Sequence, residues 1–372
     1  MDRKEDGPQG RWAVRKMGSK EAVAAVRGRG ALENPPNRFE RLAYVRDPES
    51  PDDSEIAPRT ILLKDSTRSI ITYNDSPDVG FNASINPYRG CEHGCIYCYA
   101  RPFHEYLGFS AGLDFETRIL VKEDAPALLR EELASQKWKP QLLAISGVTD
   151  AYQPIERKLE ITRHCLEVLT EFRNPVAIIT KNQLVTRDAD LLSELAALNA
   201  AAVFVSVTTL DPDLARTMEP RTSTPSNRLA AIQSLAEAGV PVGVLVAPVV
   251  PGLTDHELPR IIEAAAGAGA RFAGYVVLRL PYGVATLFES WLEEHFPDRK
   301  KKVLNKVRDI RDGKLNDPNF KTRMKGSGAY AEQVRSLYAI ACKKNGILGR
   351  GPDLSTEAFR RPPAPQMALF DV

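Results

Sequence analysis

Three of the five cysteines in this 372-residue chain lie within eight positions, in the stretch CEHGCIYCY. Cys91, Cys95 and Cys98 are spaced four and three residues apart, which on a helix would place three small apolar side chains on one face. Pro87 and Gly94 argue against a helix and predict a loop. Because thiolates on a loop suit zinc and iron–sulfur clusters, we predict that the three cysteines bind metal.

The identity of the metal is left open by the cysteines alone. A closed structural zinc site needs a fourth ligand, for which His93, His104 and Cys165 are candidates, although none of them completes a familiar zinc spacing. Three cysteines without an obvious fourth ligand are better suited to a cubane cluster that keeps one iron open for a substrate-like ligand. A zinc site and an apolar cysteine stripe are the alternatives.

The elements that must hold this loop follow from apolar runs after residue 61. Short β-branched runs alternate with amphipathic stretches, which indicates a parallel sheet covered by helices on both faces. With residues 84–90 as the first strand, six strand–helix units fit into residues 84–280, so we predict an α/β fold with a partial (β/α)6 barrel. A doubly wound sheet is the alternative. The later strands are predicted at 142–146, 176–180, 202–207, 242–248 and 275–278.

Polar side chains mark the carboxyl ends of these predicted strands. In either architecture the ligand binds at that edge of the sheet. The sequence therefore predicts a site there before any motif is considered. The residues concerned are Ser146, Thr149, Asp150, Thr180, Lys181, Ser206 and Pro248.

The cysteine loop resembles the signature of the radical S-adenosylmethionine (SAM) enzymes, in which an aromatic residue, here Tyr97, directly precedes the third cysteine. The resemblance implies a [4Fe–4S] cluster on Cys91, Cys95 and Cys98, with SAM bound to the open iron. An electron, from a flavodoxin- or ferredoxin-type donor, then cleaves SAM to methionine and a 5′-deoxyadenosyl radical. It also implies that the predicted barrel is of the radical SAM type.

Residues 84 to about 255 resemble the spore photoproduct lyase branch through the segments GCIYCY, TD, TK, VS, MEPRTS and GVPVGVLVAP. The resemblance implies that Thr149 and Ser206 contact the methionine end of SAM, and that Lys181 pairs with its carboxylate. The other cofactor positions that it implies are Tyr97 and Pro248, at the adenine, and Asp150.

One position departs from the lyases, which carry a hydrogen-donating cysteine three residues before the Asp of the second-strand motif. This chain has Gly147 there, so we expect that it does not repair the spore thymine lesion. Tyr99 matches the tyrosine of the lyase radical relay and is the one catalytic residue that we assign. The chain looks more like a bacterial group of lyase-like proteins with the longer motif NPYRGCEHGCIYCYARPFHEYLG.

The stretch HEYLGFSAGLDFE, just after the cysteine loop, is rich in residues that could handle protons or position a substrate. A place at the barrel mouth is one interpretation of these residues, and surface charges and helix caps are the other. They are His104, Glu105, Asp114 and Glu116.

The flanking regions differ from the core in composition. Residues 1–58 are polar and rich in Pro and Gly, so we expect a largely disordered or extended segment, in which RGRGALENPPNRFE docks onto the core. The radical SAM core is predicted over 59–283 and a basic helical region over 284–350. Within the latter, residues 314–330 would either close over a nucleic-acid backbone or cover the open edge of the barrel.

Residues 351–372 are predicted to form a flexible, Pro-rich tail. Near its end, Gln366–Phe370 resembles the peptide that binds the bacterial sliding clamp, with a Leu–Phe pair as the apolar anchor. Binding of the tail to the chain's own surface is the alternative. A clamp peptide would bring the chain to DNA.

The composition restricts where the chain functions. It contains no run of 18 apolar residues, and its N-terminus lacks the apolar core of a signal peptide. An odd number of cysteines, three of them clustered, is not a secreted disulfide framework. We therefore predict a cytoplasmic protein without a membrane partner.

Three functions agree with these features. The first is a radical SAM enzyme that acts on nucleic acid, in DNA base repair or modification, and the basic region and the tail favour it. The second is a radical SAM enzyme that modifies a peptide or a small metabolite. The third is a non-catalytic, metal-stabilised module associated with the clamp, against which the polar strand ends argue.

Overall fold

The computed structural model describes residues 26, 28–39 and 58–362. These ranges contain ten strands, twelve α-helices and three 3₁₀ helices. The strands are β1 (Ile61–Lys64), β2 (Ile71–Tyr73), β3 (Ala83–Ile85), β4 (Tyr88–Arg89), β5 (Arg118–Val121), β6 (Leu143–Ile145), β7 (Val176–Thr180), β8 (Ala201–Ser206), β9 (Val242–Val249) and β10 (Phe272–Val277). The α-helices are α1 (Leu113–Thr117), α2 (Ala125–Ala134), α3 (Glu156–Leu159), α4 (Ile161–Phe172), α5 (Ala189–Ala196), α6 (Pro212–Met218), α7 (Pro225–Glu237), α8 (Leu258–Gly267), α9 (Gly283–His295), α10 (Pro297–Asp309), α11 (Thr322–Lys325) and α12 (Gly328–Lys344), and the 3₁₀ helices are Arg101–Leu107, Gln183–Asp188 and Asp255–Glu257.

A seven-stranded sheet forms the centre of the fold, with the strand order β10-β9-β8-β7-β6-β3-β2. The six strands from β3 to β10 are parallel, and β2 is antiparallel to β3. The parallel strands follow one another in chain order without the reversal that defines a doubly wound sheet. The predicted partial (β/α)6 barrel is therefore confirmed.

The helices cover this sheet because their apolar residues recur at helical spacing. In α4, Ile161, Cys165, Leu166, Leu169 and Phe172 are buried, at intervals of one to four residues. The thiol of Cys165 is thus part of the hydrophobic core beneath the sheet. It is not available as a fourth ligand for the cysteine loop.

A second, three-stranded sheet supports the start of the cysteine loop. Strand β5 lies at its centre, parallel to β1 and antiparallel to β4. Because β4 ends at Arg89, the loop that carries Cys91 begins from a backbone already held by β5.

The predicted docking of the RGRGALENPPNRFE motif is confirmed for residues 28–39. The backbone N–H groups of Gly30 and Ala31 donate to the two carboxylate oxygens of Glu116, at 3.0 and 2.8 Å. A Cβ on Gly30 would lie 1.8 Å from the carbonyl oxygen of Gly94, so only glycine fits this close approach of two backbones. The motif therefore packs directly against the cysteine loop.

The basic helical region covers the open edge of the barrel. Asp78, in the turn between β2 and β3, accepts hydrogen bonds from the Lys321 amide and the Arg323 guanidinium, both at 2.5 Å. At the other edge, the Lys325 ammonium donates to the Tyr275 carbonyl of β10 at 2.7 Å. The stretch 321–325 thus bridges the first and last strands, as one of the two sequence interpretations expected.

None of the helices in the described ranges is both long and apolar enough to cross a lipid bilayer. The predicted clamp peptide, Gln366–Phe370, and most of the N-terminal segment lie outside the described residues. The boundaries of the four sequence-derived segments stay predictions.

Candidate active site

The cysteine loop is not helical between β4 and the 3₁₀ helix at Arg101–Leu107. Its backbone forms hydrogen bonds with two other elements, α1 and α6. The Cys91 amide donates to the Phe115 carbonyl at 2.8 Å, and the Ile96 amide donates to the Met218 carbonyl at 3.1 Å. Cys91 and Cys95 are buried and Cys98 is partly buried. The alternative of a cysteine stripe on a core helix is therefore wrong.

Arg101 holds the cysteine loop from behind. Its guanidinium is fully buried and donates to the carbonyls of Cys95 and Gly94, at 3.0 and 3.2 Å. The charge is compensated by Glu116, also fully buried, at 2.5 Å. Sequence reasoning missed Arg101. The one feature of the sequence that could have indicated its role is its position three residues after Cys98.

His93 connects the loop to the polar ends of β6 and β7. Its ring lies 3.4 Å from the Asp150 carboxylate and 3.2 Å from the Asn182 side-chain amide. Asp150 also accepts from the Lys181 amide at 2.8 Å and the Thr180 hydroxyl at 2.7 Å. Burial alone would raise the pKa of Asp150, but His93 and these hydrogen bonds outweigh it and lower the pKa.

Lys181 is a cation without a carboxylate partner in the described part of the chain. Its ammonium donates to the Ala247 carbonyl at 3.2 Å and lies 5.9 Å from the centre of the Tyr97 ring. Burial lowers its pKa, and the nearby thiols of Cys95 and Cys98 act in the opposite direction. Since an uncompensated buried charge is costly, this position suits a bound carboxylate.

Tyr97 belongs to a buried network centred on Glu219. The Tyr97 hydroxyl and the Arg228 guanidinium both donate to the Glu219 carboxylate, and the Thr208 hydroxyl does so at 2.7 Å. Arg228 also donates to the backbone carbonyl of Ser206 at 3.1 Å. Burial raises the pKa of Glu219, and Arg228 opposes that effect. Glu219 and Arg228 are site residues that sequence reasoning missed, although Glu219 lies within the quoted MEPRTS segment.

The remaining cofactor positions lie around Lys181. Pro248 follows the carbonyl that accepts from Lys181, and its peptide bond with Ala247 is cis. Thr149 is buried, and its hydroxyl donates to the Tyr88 carbonyl at 3.1 Å. The structure thus joins Asp150, Lys181 and Tyr97 directly, whereas Ser206 is tied to them only through its backbone.

Tyr99 and Gly147 touch, although they are 48 residues apart in sequence. The Tyr99 side chain is 46% exposed, and its hydroxyl donates to the Gly147 carbonyl. The atoms nearest to a Cβ added at position 147 would belong to Ser84 and Asn86, at 3.8 to 4.0 Å, so a Cβ there would make ordinary contacts. The catalytic tyrosine that we assigned therefore faces the position where the lyases carry their donor cysteine.

Arg279 follows β10 and faces the same tyrosine, with its guanidinium carbon 5.8 Å from the centre of the Tyr99 ring. Its Nε is buried without a partner among the described residues, where its guanidinium donates to the Met324 sulfur at 3.6 Å. Burial lowers the pKa of Arg279, and the adjacent Arg323 lowers it further. Sequence reasoning missed Arg279. It could have been found in the same way as Asp150 and Lys181, because it too is a polar residue just after the carboxyl end of a parallel strand, here β10.

The four polar residues of HEYLGFSAGLDFE support loops. Glu116 pairs with Arg101, Glu105 accepts from the Arg38 guanidinium at 2.6 Å, and Asp114 accepts from the Asn34 amide at 3.1 Å. His104 is buried beside the rings of Phe109 and Phe115, and burial lowers its pKa to about 4.

The donor set fits an iron–sulfur cluster better than zinc. His93 lies beside the Asp150 carboxylate, Cys165 lies in the hydrophobic core, and the His104 ring packs against Phe109. No three His, Cys, Asp or Glu side chains of the described ranges converge on one metal position. A cubane needs no such convergence, because each cysteine binds a different iron. Burial raises the pKa of all three thiols, so their thiolate forms require the compensating charge of iron.

Comparison with known proteins agrees with this geometry. The Radical SAM superfamily matches residues 85–265. An uncharacterised protein from Mycobacterium tuberculosis is 33% identical over 290 residues, which are 77% of this chain and 83% of the relative. An uncharacterised protein from Methanocaldococcus jannaschii is 27% identical over 60% of this chain and 80% of its own length.

Among solved structures, a spore photoproduct lyase aligns with a TM-score of 0.54 at 17% identity, over 77% of this chain and 81% of the lyase. A spore photoproduct lyase with bound S-adenosylmethionine and a dinucleoside spore photoproduct aligns with a TM-score of 0.53 at 15% identity, over 77% and 80%. These two likenesses show a shared fold.

This chain belongs to the radical SAM superfamily. It is an enzyme whose cofactors are a [4Fe–4S] cluster and SAM. The predicted resemblance to spore photoproduct lyase is confirmed at the level of the fold.

Proposed function

We propose that this enzyme acts on a base of a nucleic acid, in repair or modification. The cluster on Cys91, Cys95 and Cys98, when bound, supplies the electron that cleaves SAM to methionine and the 5′-deoxyadenosyl radical. The chain's own side chains bind and orient SAM and the substrate around that reaction.

The contacts of the strand ends support a definite orientation of SAM. The Lys181 ammonium would pair with the SAM carboxylate, and Asp150 keeps that lysine in place through its backbone amide. The backbone near Tyr97 and the end of β9 at Pro248 would hold the adenine. Thr149 and Ser206 would contact the methionine end, where the Thr149 oxygen can still accept from the SAM ammonium while it donates to a backbone carbonyl.

The observation that carries the nucleic-acid proposal is the position of Arg279. A guanidinium without a carboxylate partner in the described ranges lies next to Tyr99, at the edge of the sheet where substrates bind. Its planar donors suit a phosphate or a base carbonyl. Solved spore photoproduct lyases of the same fold include complexes with a dinucleoside spore photoproduct, which supports a related substrate class.

The spore lesion itself is not the proposed substrate. Gly147 has no side chain, so it lacks the thiol hydrogen that the lyases donate to the substrate radical from this position. The substrate radical would then be quenched by another donor, or the reaction would form a new bond. A peptide or a small metabolite is the alternative substrate, whereas a non-catalytic module is excluded by membership of the family.

The test follows 5′-deoxyadenosine produced by the reconstituted, dithionite-reduced protein without oxygen, with and without single-stranded, duplex and ultraviolet-damaged oligonucleotides. We expect Cys98→Ala to abolish SAM cleavage, and one class of oligonucleotide to accelerate it in the parent protein. Arg279→Met should remove that acceleration. Arg271→Met is the matched control, because Arg271 precedes the same strand at its opposite end. Rates that no oligonucleotide changes would favour the peptide or metabolite alternative.

Three further expectations are proposals of the same kind. The tail peptide Gln366–Phe370 would bind a sliding clamp, a flavodoxin or ferredoxin would supply the electron, and the reaction would occur in the reducing cytoplasm. Deletion of residues 366–372 should leave SAM cleavage intact and abolish clamp binding.

A further inference from the structure

Four aromatic side chains near the barrel mouth are at least half exposed. The exposed fractions are 56% for Phe39, 50% for Phe103, 68% for Tyr106 and 66% for Tyr282. A soluble chain gains nothing from leaving several large aromatic rings in water, so such a group marks a binding surface.

These rings form one continuous surface with Arg38. The rings of Phe39 and Tyr106 are 4.9 Å apart, and those of Phe103 and Tyr106 are 6.5 Å apart. The Arg38 guanidinium lies 3.8 Å from the centre of the Tyr282 ring and 5.1 Å from that of Phe39. We call these five residues the aromatic rim.

The aromatic rim lies across the mouth of the barrel. Phe103 and Tyr106 are on the 3₁₀ helix that follows the cysteine loop, and Tyr282 is three residues after Arg279. These segments follow β3 and β10, which are the first and last of the parallel strands. The Arg38–Tyr282 contact joins the N-terminal motif to the loop after β10, and the Phe39–Tyr106 contact joins the same motif to the 3₁₀ helix after the cysteine loop. The neighbouring contact between Arg279 and Tyr99 continues the series of planar groups into the candidate active site.

We propose that the aromatic rim binds the bases of an unpaired nucleic-acid strand by stacking. One nucleotide would enter the mouth beside Tyr99 and Arg279, while its neighbours stack on the rim. This proposal rests on the proposed function and specifies its substrate as single-stranded or locally unpaired nucleic acid.

The chemistry of the rim favours bases over an apolar protein partner. Every ring and the guanidinium offer a flat face, and base–aromatic stacking tolerates any base because all bases have π faces. Arg38 is held in place by Glu105 at 2.6 Å, so its plane stays over the Tyr282 ring. Arg279 adds a cation beside the rings, which complements a phosphate backbone and not an apolar helix. Paired bases in a duplex do not expose these faces, so an unpaired strand is required.

The test measures the affinity of the full-length, cluster-loaded protein for a fluorescein-labelled single strand by fluorescence anisotropy, at fixed ionic strength. The double variant Tyr106→Ala, Tyr282→Ala should bind at least about tenfold more weakly, since one stacked base contributes roughly that factor. Tyr106→Trp, Tyr282→Trp should restore the affinity, because stacking needs a ring and no hydroxyl. Circular dichroism and iron content confirm that each variant is folded.

Tyr73→Ala is the matched control. Tyr73 is 64% exposed, but it pairs with Ala83 at the start of β3, the end of the sheet opposite the mouth. The affinity of this variant for the strand should stay within about twofold of the parent, because none of the ring contacts among the described residues involves Tyr73.

The possible results separate the two proposals. If the parent protein binds no single strand and no oligonucleotide accelerates SAM cleavage, both the proposed function and the rim are overturned. If the parent binds and responds but the double alanine variant binds equally well, only the rim is overturned. A lower melting temperature in that variant with unchanged binding would show that the rings stabilise the fold and do not bind the strand, which would also overturn the rim. A duplex of the same sequence that binds as tightly as the single strand would also refute stacking.

Discussion

Replacement of Glu116 by Gln would test whether one buried ion pair holds the cysteine loop. Glu116 and Arg101 are both fully buried, at a distance of 2.5 Å. Glu116 also accepts from the amides of Gly30 and Ala31, and Arg101 also donates to the carbonyls of Gly94 and Cys95. The substitution keeps the shape of the side chain but removes the negative charge from this network.

The expected cost follows from burial. Loss of one partner of a buried pair leaves an uncompensated charge, which lowers the free energy of unfolding by about 3–5 kcal/mol. The side-chain amide of the new Gln would also point an N–H group at the backbone amides or the guanidinium that Glu116 accepts from. This clash of donors lowers the free energy of unfolding further. Because Arg101 bonds the loop backbone between the cysteines, we expect the variant to lose iron faster to a chelator.

Urea unfolding, followed by circular dichroism on metal-free protein, measures the free energy, and iron release to a chelator reports on the loop. The matched control is Glu171→Gln, which breaks the pair between Arg130 and Glu171, whose side chains are 49% and 35% exposed. An exposed pair contributes about 0–1 kcal/mol, so the control should unfold almost as the parent does. Equal losses in the two variants, or unchanged iron release from Glu116→Gln, would refute the reasoning.

Three further predictions concern single residues. Lys181→Ala should weaken SAM binding by roughly 10–100-fold, because a charge-assisted hydrogen bond contributes about 1.5–3 kcal/mol. Equilibrium dialysis measures this affinity, and the iron content of the variant should not change. An unchanged affinity would remove Lys181 from the cofactor site. His104 has a pKa of about 4 in the folded state, below its unfolded value of 6.5, so the unfolded chain binds the proton first as the pH falls. Unfolding free energy should therefore drop by about 2 kcal/mol from pH 7.5 to 5, and His104→Phe should remove that part of the slope. Gly147→Cys should unfold within about 1 kcal/mol of the parent, since the added Cβ meets only ordinary contacts at 3.8 to 4.0 Å, and a larger loss would contradict the free space seen there.

The spacing of residues within about ten positions was enough to predict most of the scaffold. Strands β6 to β10 lie within two or three residues of the predicted runs, because continuous apolar segments are needed where a parallel sheet is buried on both faces. The metal-binding role of the three cysteines could likewise be predicted from their spacing, since all three belong to one loop. Polar strand ends indicated Asp150 and Lys181 because parallel strands bring their carboxyl ends to one edge.

The roles of the other charged and aromatic residues depended on contacts between distant parts of the chain. Glu116 looked like a surface charge, yet it is buried because residues from the N-terminal motif and Arg101 bring their donors to it. Arg279 meets Tyr99 only because the barrel places the loops after its first and last strands side by side. Arg38 meets Tyr282 only because the N-terminal motif docks beside the loop that follows β10. Sequence by itself determined where the strands and the cysteine loop lie, since both depend on local spacing, and the resemblance of that loop to the radical SAM signature indicated the class of cofactor. The tertiary structure decided which charges are paired, which rings face solvent and what lines the mouth, because these depend on packing between segments that are far apart in the chain.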